Sequence, residues 1–219
     1  MSDDSGTLRQ IRKERERQRI REDILEAALA VFARSGYHNA TVEEIARQSG
    51  YSTGSLYNYF KNKQDVFTTL VRGVVERMQP RLDREMDAAD TFTEGLDAYL
   101  QLMGDFASET LAGYRFLLDP DSHEGLASSD LHEFMEDSFW GMVERLRKLV
   151  EQGMAEGVLR PQEPTVAAHA LIGLATHFAK GLVLPREGQP QLTVELYVQL
   201  TRDYYLNGAG AVSRDGGGT

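Results

Sequence analysis

The chain has 219 residues, 41% of them hydrophobic, with 24 basic and 34 acidic side chains that give a formal net charge of -10. This length allows one large domain or two small ones, and the lack of cysteine excludes disulfide frameworks, zinc–thiolate sites and thiol nucleophiles. No apolar run approaches the roughly 20 residues of a membrane-spanning helix. The charged N-terminus is unlike a signal peptide, so we expect a cytoplasmic protein.

The acidic charge is unevenly distributed along the chain. Residues 1–70 carry 11 Lys+Arg and 10 Asp+Glu, a balance of +1, which leaves 13 and 24, a balance of -11, for residues 71–219. From Ile45 to Gln64 there is no acidic side chain at all. This asymmetry predicts two surfaces with different partners, and a polyanion would bind to the N-terminal third.

The chain begins with a basic run, which we assign as an N-terminal arm over residues 1–18. Residues 8–21 hold seven Lys+Arg against Glu14 and Glu16, a balance of +5. An arm of this kind can contact the minor groove or the backbone of DNA. A solvated helical extension with Glu–Arg pairs explains the same residues equally well.

Helical periodicity follows the basic run. Residues 20–34 place apolar side chains on one stripe at helical spacing, and Gly36 supplies a stop. Thr41 and Glu44 have the spacing of a capping box, which predicts a short helix that ends near Gly50.

Two further helices begin soon after this turn. Either of the adjacent hydroxyl residues at 52 and 53 can cap a helix that we expect to run to Phe60. Asn62 can cap the next helix, which Pro80 should kink or end. A long helix, a short helix, a tight turn and another short helix are typical of a helix-turn-helix unit, whose last helix lies in a DNA major groove.

The stretch YSTGSLYNYF, residues 51–60, supports this interpretation. Leu56 and Phe60 lie four residues apart and form the inward stripe. The outward positions hold polar donors for phosphate oxygens, namely Thr53, Ser55, Tyr57 and either Asn58 or Tyr59. Carboxylates in this place would repel phosphates, so the acid-free window fits a DNA-facing helix. Tyr57 and Tyr59 can also be explained as half-buried aromatic residues.

The segment ILEAALAVFARSGYHNATVEEIARQSGYSTGSLYNYFKNKQDVF, residues 24–67, resembles the DNA-binding domain of the tetracycline-repressor (TetR) family. The matching positions include Gly36-Tyr37, Thr41-Val42, Gly54-Ser55-Leu56-Tyr57 and Lys63. The resemblance implies a homodimeric, one-component transcriptional regulator, usually a repressor. Ligand binding in a C-terminal helical domain would release such a regulator from a palindromic operator.

The resemblance also implies roles for individual residues. Thr41 would donate to a phosphate, and Ser52, Thr53 and Ser55 would enter the groove, with Gly54 allowing close approach. Tyr57, Tyr59 and Lys63 would clamp the DNA backbone. Tyr51 stands where a smaller aliphatic residue is common, and packing explains it equally well.

The acidic remainder is predicted to be helical throughout. We expect helices at residues 91–111, 113–119, 130–156, 164–183 and 190–206. The helices at 164–183 and 190–206 are apolar and rich in small residues, so we expect them to pair with their symmetry mates in a four-helix dimer interface. Burial within one subunit is the alternative.

Bulky, adaptable side chains between residues 91 and 143 are candidates for a lipophilic effector site. The candidate ligand-binding residues are Tyr99, Met103, Phe106, Arg115, Met135, Phe139 and Trp140. Arg115 can pair with an anionic group or point to water, and the others are also explained as core. His169 and His177 share a helix face without a third ligand, so we expect no metal, and we expect no organic cofactor.

The sequence therefore predicts an all-α protein with a DNA-binding domain at residues 19–66, an effector-binding and dimerisation domain at 67–207 and a disordered tail at 208–219. An enzyme is the main alternative, but GxSxG, HExxH and P-loop motifs are absent. A helical scaffold without DNA binding is the second alternative, and it leaves the acid-free window unexplained.

Overall fold

The computed structural model describes residues 4–109, 129–183 and 192–209. Within these ranges the regular elements are the helices α1 (Asp4–Asn39), α2 (Val42–Ser49), α3 (Thr53–Tyr57), α4 (Lys63–Asp87), α5 (Phe92–Glu109), α6 (Ser129–Ala155), α7 (Pro164–Val183) and α8 (Val194–Ala209). The predicted all-α fold, a helix-turn-helix domain followed by a larger helical domain, is confirmed. The described part of the chain contains no helix long and apolar enough to cross a bilayer.

The first helix is much longer than its apolar stripe predicted. It begins at Asp4, and residues 8–19 are exposed on every face. Arg, Glu, Gln and Lys fill most of this segment and are strong helix formers, so the helix extends without a core to pack against. The predicted N-terminal arm is therefore helical from Asp4 onward. At the other end, Gly36 has φ 73° and ψ 163°, which interrupts the helical geometry where the stop was predicted.

The caps of the short helices agree with the sequence. The Thr41 hydroxyl accepts from the Glu44 amide at 3.2 Å, and the Glu44 carboxylate accepts from the Thr41 amide at 3.1 Å. Gly50 adopts the left-handed conformation at the C-cap of α2. Ser52 caps α3, and Asn62 caps α4 through the Asp65 amide. The tight turn between α2 and α3 is thus fixed by local hydrogen bonds.

Two predicted helix ends were wrong, and of the two outcomes predicted at Pro80, a kink or an end, the end is excluded. Helix α3 ends at Tyr57 rather than Phe60, although Phe60 is buried as expected. Helix α4 continues through Pro80 to Asp87, because buried residues on both sides of the proline hold it on the core and offset a cost of about 3 kcal/mol. Helix α8 reaches Ala209, past the predicted start of the tail. The predicted helix at 113–119 and the rest of the tail lie outside the described residues.

Two apolar cores organise the fold, and α4 belongs to both. The N-terminal core gathers buried residues of α1, α2, α3 and the first half of α4, including Val66, Phe67 and Val71. The C-terminal core gathers α5, α6, α7 and α8 around Leu82 of α4. Leu131 of α6 is buried in the N-terminal core, so α6 also spans the two. The proposed domain boundary at residues 66 and 67 therefore falls inside one continuous helix.

Candidate nucleic-acid interface

Helix α3 and the residues that follow it are held on the N-terminal core by two apolar anchors, one in the helix and one after it. Leu56 is fully buried, and Phe60 is 2% exposed. On the opposite side, Tyr57 is 52% exposed, and Asn58 is exposed beside it. This orientation is the one that the inward stripe predicted. The outward face offers a phenol and an amide, both able to donate to phosphate oxygens.

The N-terminal end of α3 is open and polar. The Ser52 hydroxyl accepts from the Ser55 amide at 3.1 Å, which leaves its own proton free to donate. A Cβ added at Gly54 would meet nothing closer than the Ser52 hydroxyl oxygen at 4.0 Å. Packing within the chain therefore does not require glycine at this position. Thr53 and Ser55 are half-buried at the same end of the helix.

Thr41 lies at the start of α2 with its side chain exposed. Its hydroxyl oxygen serves as the helix cap, so only its proton remains to reach a phosphate. The Glu44 carboxylate bonded to the Thr41 amide lies close by and would oppose an incoming anion. Any phosphate contact by Thr41 is thus limited to a single donor.

Lys63 has a structural role that the sequence did not predict. Its ammonium donates to the carbonyl oxygens of Tyr37 at 2.8 Å, His38 at 3.3 Å and Ala40 at 2.8 Å. The same ammonium lies 4.4 Å from the centre of the Tyr37 ring, and burial lowers the pKa of Lys63. Because the ammonium carries three protons, these carbonyls can engage all of them. Lys63 joins the start of α4 to the end of α1, and its predicted backbone contact stays a prediction.

Two tyrosines connect the helix-turn-helix unit to α1. The Tyr51 hydroxyl donates to the Asp23 carboxylate at 2.8 Å, which raises the pKa of Tyr51, and its ring packs against the N-terminal core. The packing interpretation of Tyr51 therefore agrees with the structure. Tyr59 is half-buried, and the Arg17 guanidinium lies 6.0 Å from the centre of its ring. The side chain of Tyr59 thus faces α1 as well as solvent.

The candidate effector-binding residues do not converge in the described part of the chain. Tyr99 and Met103 are buried in the C-terminal core, and Phe106 packs against that core. Met135 packs instead against the N-terminal core. Arg115 lies outside the described residues.

Phe139 and Trp140 point outward rather than into a pocket. They are 41% and 54% exposed, and both rings lie 5.6 Å from the ring of His169. The Nδ1 atom of His169 lies 2.8 Å from the Thr165 carbonyl oxygen. No group of three potential metal ligands occurs among the residues described.

An open groove of about 680 Å³ lies between α1 and α4, and none of the candidate effector residues within the described ranges lines it. Its lining includes Arg21 and Leu25 of α1 and Leu70 and Arg72 of α4. The groove differs from the expected lipophilic site because charged and apolar side chains line it together. It also lies outside the C-terminal core.

Arg72 links α4 to α6, a contact that no sequence motif indicated. Its guanidinium donates to the Asp130 carbonyl oxygen at 2.9 Å and lies 4.5 Å from the centre of the Phe134 ring. Both partners belong to the first turns of α6, next to the buried Leu131. The beginning of α6 is therefore attached to the helix that leads into the DNA-binding domain.

Helix α7 exposes an apolar face, and α8 exposes two large apolar side chains beside the exposed polar residues Asp203 and Asn207. The inner face of α7 is buried in its own core, whereas Val166 is 67% exposed and Ala170 and Gly173 are exposed on the same side. On α8, Leu196 is 38% exposed and Tyr204 is 62% exposed. Each helix thus buries one face within the subunit and leaves another for a possible partner. The dimer interface stays a prediction.

Residues 24–70 match the family model described as bacterial regulatory proteins of the tetR family. The chain is also 24% identical over 189 residues to YhgD of Bacillus subtilis, an HTH-type transcriptional regulator, covering 86% of this chain and 95% of YhgD. These matches confirm the resemblance to TetR-family transcriptional regulators that residues 24–67 indicated.

Solved structures share the fold over most of the chain. The ketosteroid transcriptional regulator KstR2 of Mycobacterium tuberculosis superposes with a TM-score of 0.73 at 24% identity, covering 88% of this chain and 95% of KstR2. FadR of Bacillus subtilis, in complex with stearoyl-CoA, gives a TM-score of 0.64 at 20% identity, covering 85% of this chain and 95% of FadR. At these identities the likeness establishes the architecture alone.

Proposed function

We propose that this chain is a transcriptional repressor that binds a palindromic operator as a homodimer and is released by a small, lipophilic effector. The observation that carries the proposal is the surface of α3 and its flanks, residues 52–59. Leu56 fixes this segment on the core, and its outward side offers hydroxyl, amide and phenol donors without a carboxylate. In this role the protein would act in the cytoplasm, where its DNA is, and would need no catalytic activity or cofactor.

The proposed DNA contacts divide into two groups. Ser52, Thr53, Gly54 and Ser55 form the end of α3 that would enter the major groove, where close approach and short donors suit base edges. Tyr57, Asn58 and Tyr59, with Thr41 at the cap of α2, would contact phosphates on either side. Lys63 donates its ammonium protons to carbonyl oxygens at the end of α1, so it would attract these phosphates through its charge. Phosphate contacts fix the register of the helix on the duplex, and the groove contacts read the sequence.

The proposed dimer is supported by the exposed apolar face of α7 and by Leu196 and Tyr204 on α8. Pairing them with a second copy would remove Val166, Ala170 and Leu196 from water and build a four-helix interface. A two-fold dimer then requires a palindromic site, with half-sites about one helical turn, roughly 34–36 Å, apart.

The C-terminal core supports a lipophilic effector. Tyr99, Met103 and Phe106 lie together on α5, and an apolar ligand inserted beside them would be shielded from water. The stearoyl-CoA ligand of the FadR relative supports a lipophilic molecule with an anionic group. In that case Arg115 would supply the positive charge. Arg72 and the first turns of α6 would carry the response from this core to α4.

The proposal is tested by selecting duplexes from a random-sequence DNA pool with the full-length protein. Binding of the selected duplex is then measured by fluorescence anisotropy beside a shuffled duplex of the same composition. We expect a palindromic consensus and a preference of at least about a thousandfold for the selected duplex, as specific regulators show. Selection without enrichment, or equal binding to both duplexes, would contradict the proposal.

A further inference from the structure

Residues 8–19, the exposed first part of α1, are called the extension here. We infer that Arg9, Lys13 and Arg17 of the extension form a second DNA-contact surface, which we call the basic stripe. It would bind phosphates beside the site that α3 reads. This inference rests on the proposed function, since it names an additional contact to the same DNA. The three residues of the basic stripe are exposed and do not belong to the apolar core.

The basic stripe continues the core-facing side of α1. Ile24 is fully buried, and Ile20 packs against the N-terminal core. Stepping back from them by three or four residues along the helix leads to Arg17, Lys13 and Arg9 in turn. The side of α1 that is apolar within the domain therefore becomes basic where the helix passes beyond it.

Two contacts fix the direction in which this side points. The Arg17 guanidinium lies 6.0 Å from the centre of the Tyr59 ring, and the Arg21 guanidinium lies 5.4 Å from the centre of the Phe60 ring. Both rings directly follow α3 in the chain. The stripe thus starts at the flank of the proposed recognition segment and runs outward from it along the extension.

The charges of the extension favour a polyanion as the partner. Residues 8–21 have a balance of +5, with seven basic residues against Glu14 and Glu16, in a chain whose net charge is -10. Neither glutamate occupies a stripe position, and all three stripe residues are exposed. Long, exposed basic side chains on a rigid helix can follow a row of phosphates without reading bases.

The experiment compares two variants that remove the same charge from opposite sides of the extension. Lys13→Gln/Arg17→Gln alters the basic stripe, and Arg12→Gln/Arg15→Gln alters the far side of the same helix. Affinity for a duplex selected from a random pool, and for its shuffled counterpart, is measured by anisotropy from 50 to 300 mM salt. Thermal unfolding followed by circular dichroism verifies that both variants fold.

We expect the stripe variant to bind the selected duplex more weakly and with a shallower salt dependence. Each lost phosphate contact lowers the slope of log affinity against log salt by about 0.9, so two contacts lower it by about 1.8 per protomer. The far-side variant should change the slope by less than half of that. Preference for the selected over the shuffled duplex should persist in both variants.

Equal slopes for the two variants would overturn the inference, because the effect would then follow from net charge alone. A stripe variant that binds like the wild type would overturn it as well. Both outcomes leave the proposed function intact as long as the wild-type protein prefers the selected duplex. If the wild-type protein showed no preference for the selected duplex, the result would instead contradict the proposed function itself.

Discussion

At the scale of single residues, Lys63 is predicted from the sequence to contact the DNA backbone, and in the structure its side chain joins the start of α4 to the end of α1. Its position at the start of α4 puts a cation where the helix dipole disfavours it. The carbonyl oxygens of Tyr37, His38 and Ala40 offset this cost by accepting its protons at the end of α1. Carbonyl groups at the end of a helix need partners outside the helix, and the Lys63 ammonium supplies hydrogen-bond donors to them.

We expect Lys63→Met to lower the free energy of unfolding by about 1 kcal/mol, because it removes hydrogen bonds from an ammonium to two partly buried carbonyl groups. Lys61→Met is the matched control, since Lys61 is exposed two residues away. Urea denaturation of both variants measures the difference. If Lys63→Met proved as stable as Lys61→Met, the stabilising role of Lys63 would be wrong.

At the scale of elements, α4 is the connection between the two cores, and its contact with α6 is the route by which one could influence the other. Arg72 holds the Asp130 carbonyl oxygen and covers the Phe134 ring, while Leu131 enters the N-terminal core. A shift of α6 in response to an effector would therefore displace α4 through these contacts.

The Arg72→Met variant should loosen the first turns of α6. Loss of a hydrogen bond from a charged donor, about 1.5 kcal/mol, corresponds to a roughly tenfold larger equilibrium constant for local opening, and so to roughly tenfold faster amide exchange. Hydrogen exchange of the amides at residues 130–135 measures this, with Arg77→Met as the control because Arg77 is exposed on the same helix. If the amide exchange rates did not change in the Arg72→Met variant, Arg72 would not stabilise the first turns of α6.

Features that depend on neighbouring residues were predictable from the sequence. The caps at Thr41, Ser52 and Asn62 and the turn at Gly50 follow from hydrogen bonds that span three residues. The interruption of α1 at Gly36 follows from glycine's access to positive φ. The inward stripe of α3 follows from its spacing alone.

Features that depend on distant residues were not predictable. The passage of α4 through Pro80 depends on packing of its buried side chains against two cores. The Tyr51–Asp23 hydrogen bond and the carbonyl partners of Lys63 join positions more than 20 residues apart. The dispersion of the candidate effector residues between two cores and the outer face of α6 depends on which helices pack together.

At the scale of the whole molecule, the proposed dimer makes DNA binding and assembly inseparable. The Ala170→Arg variant places a charge at the centre of the exposed face of α7, where it cannot disturb the subunit's own core. Sedimentation velocity should show a shift from dimer to monomer, with weaker binding to a selected duplex. Ala155→Arg, at an exposed position near the end of α6, should remain dimeric. A dimeric Ala170→Arg protein would place the interface elsewhere.

The most direct test of the account is an anisotropy titration of the wild-type protein and Tyr57→Ala against a selected duplex and its shuffled counterpart. Tyr57 is 52% exposed, so its removal should leave thermal unfolding unchanged. We predict that the variant loses at least about tenfold in affinity for the selected duplex, as expected for a lost hydrogen bond to a charged phosphate. A stable variant that binds the selected duplex as tightly as the wild type would contradict the assignment of α3 as the DNA-reading helix.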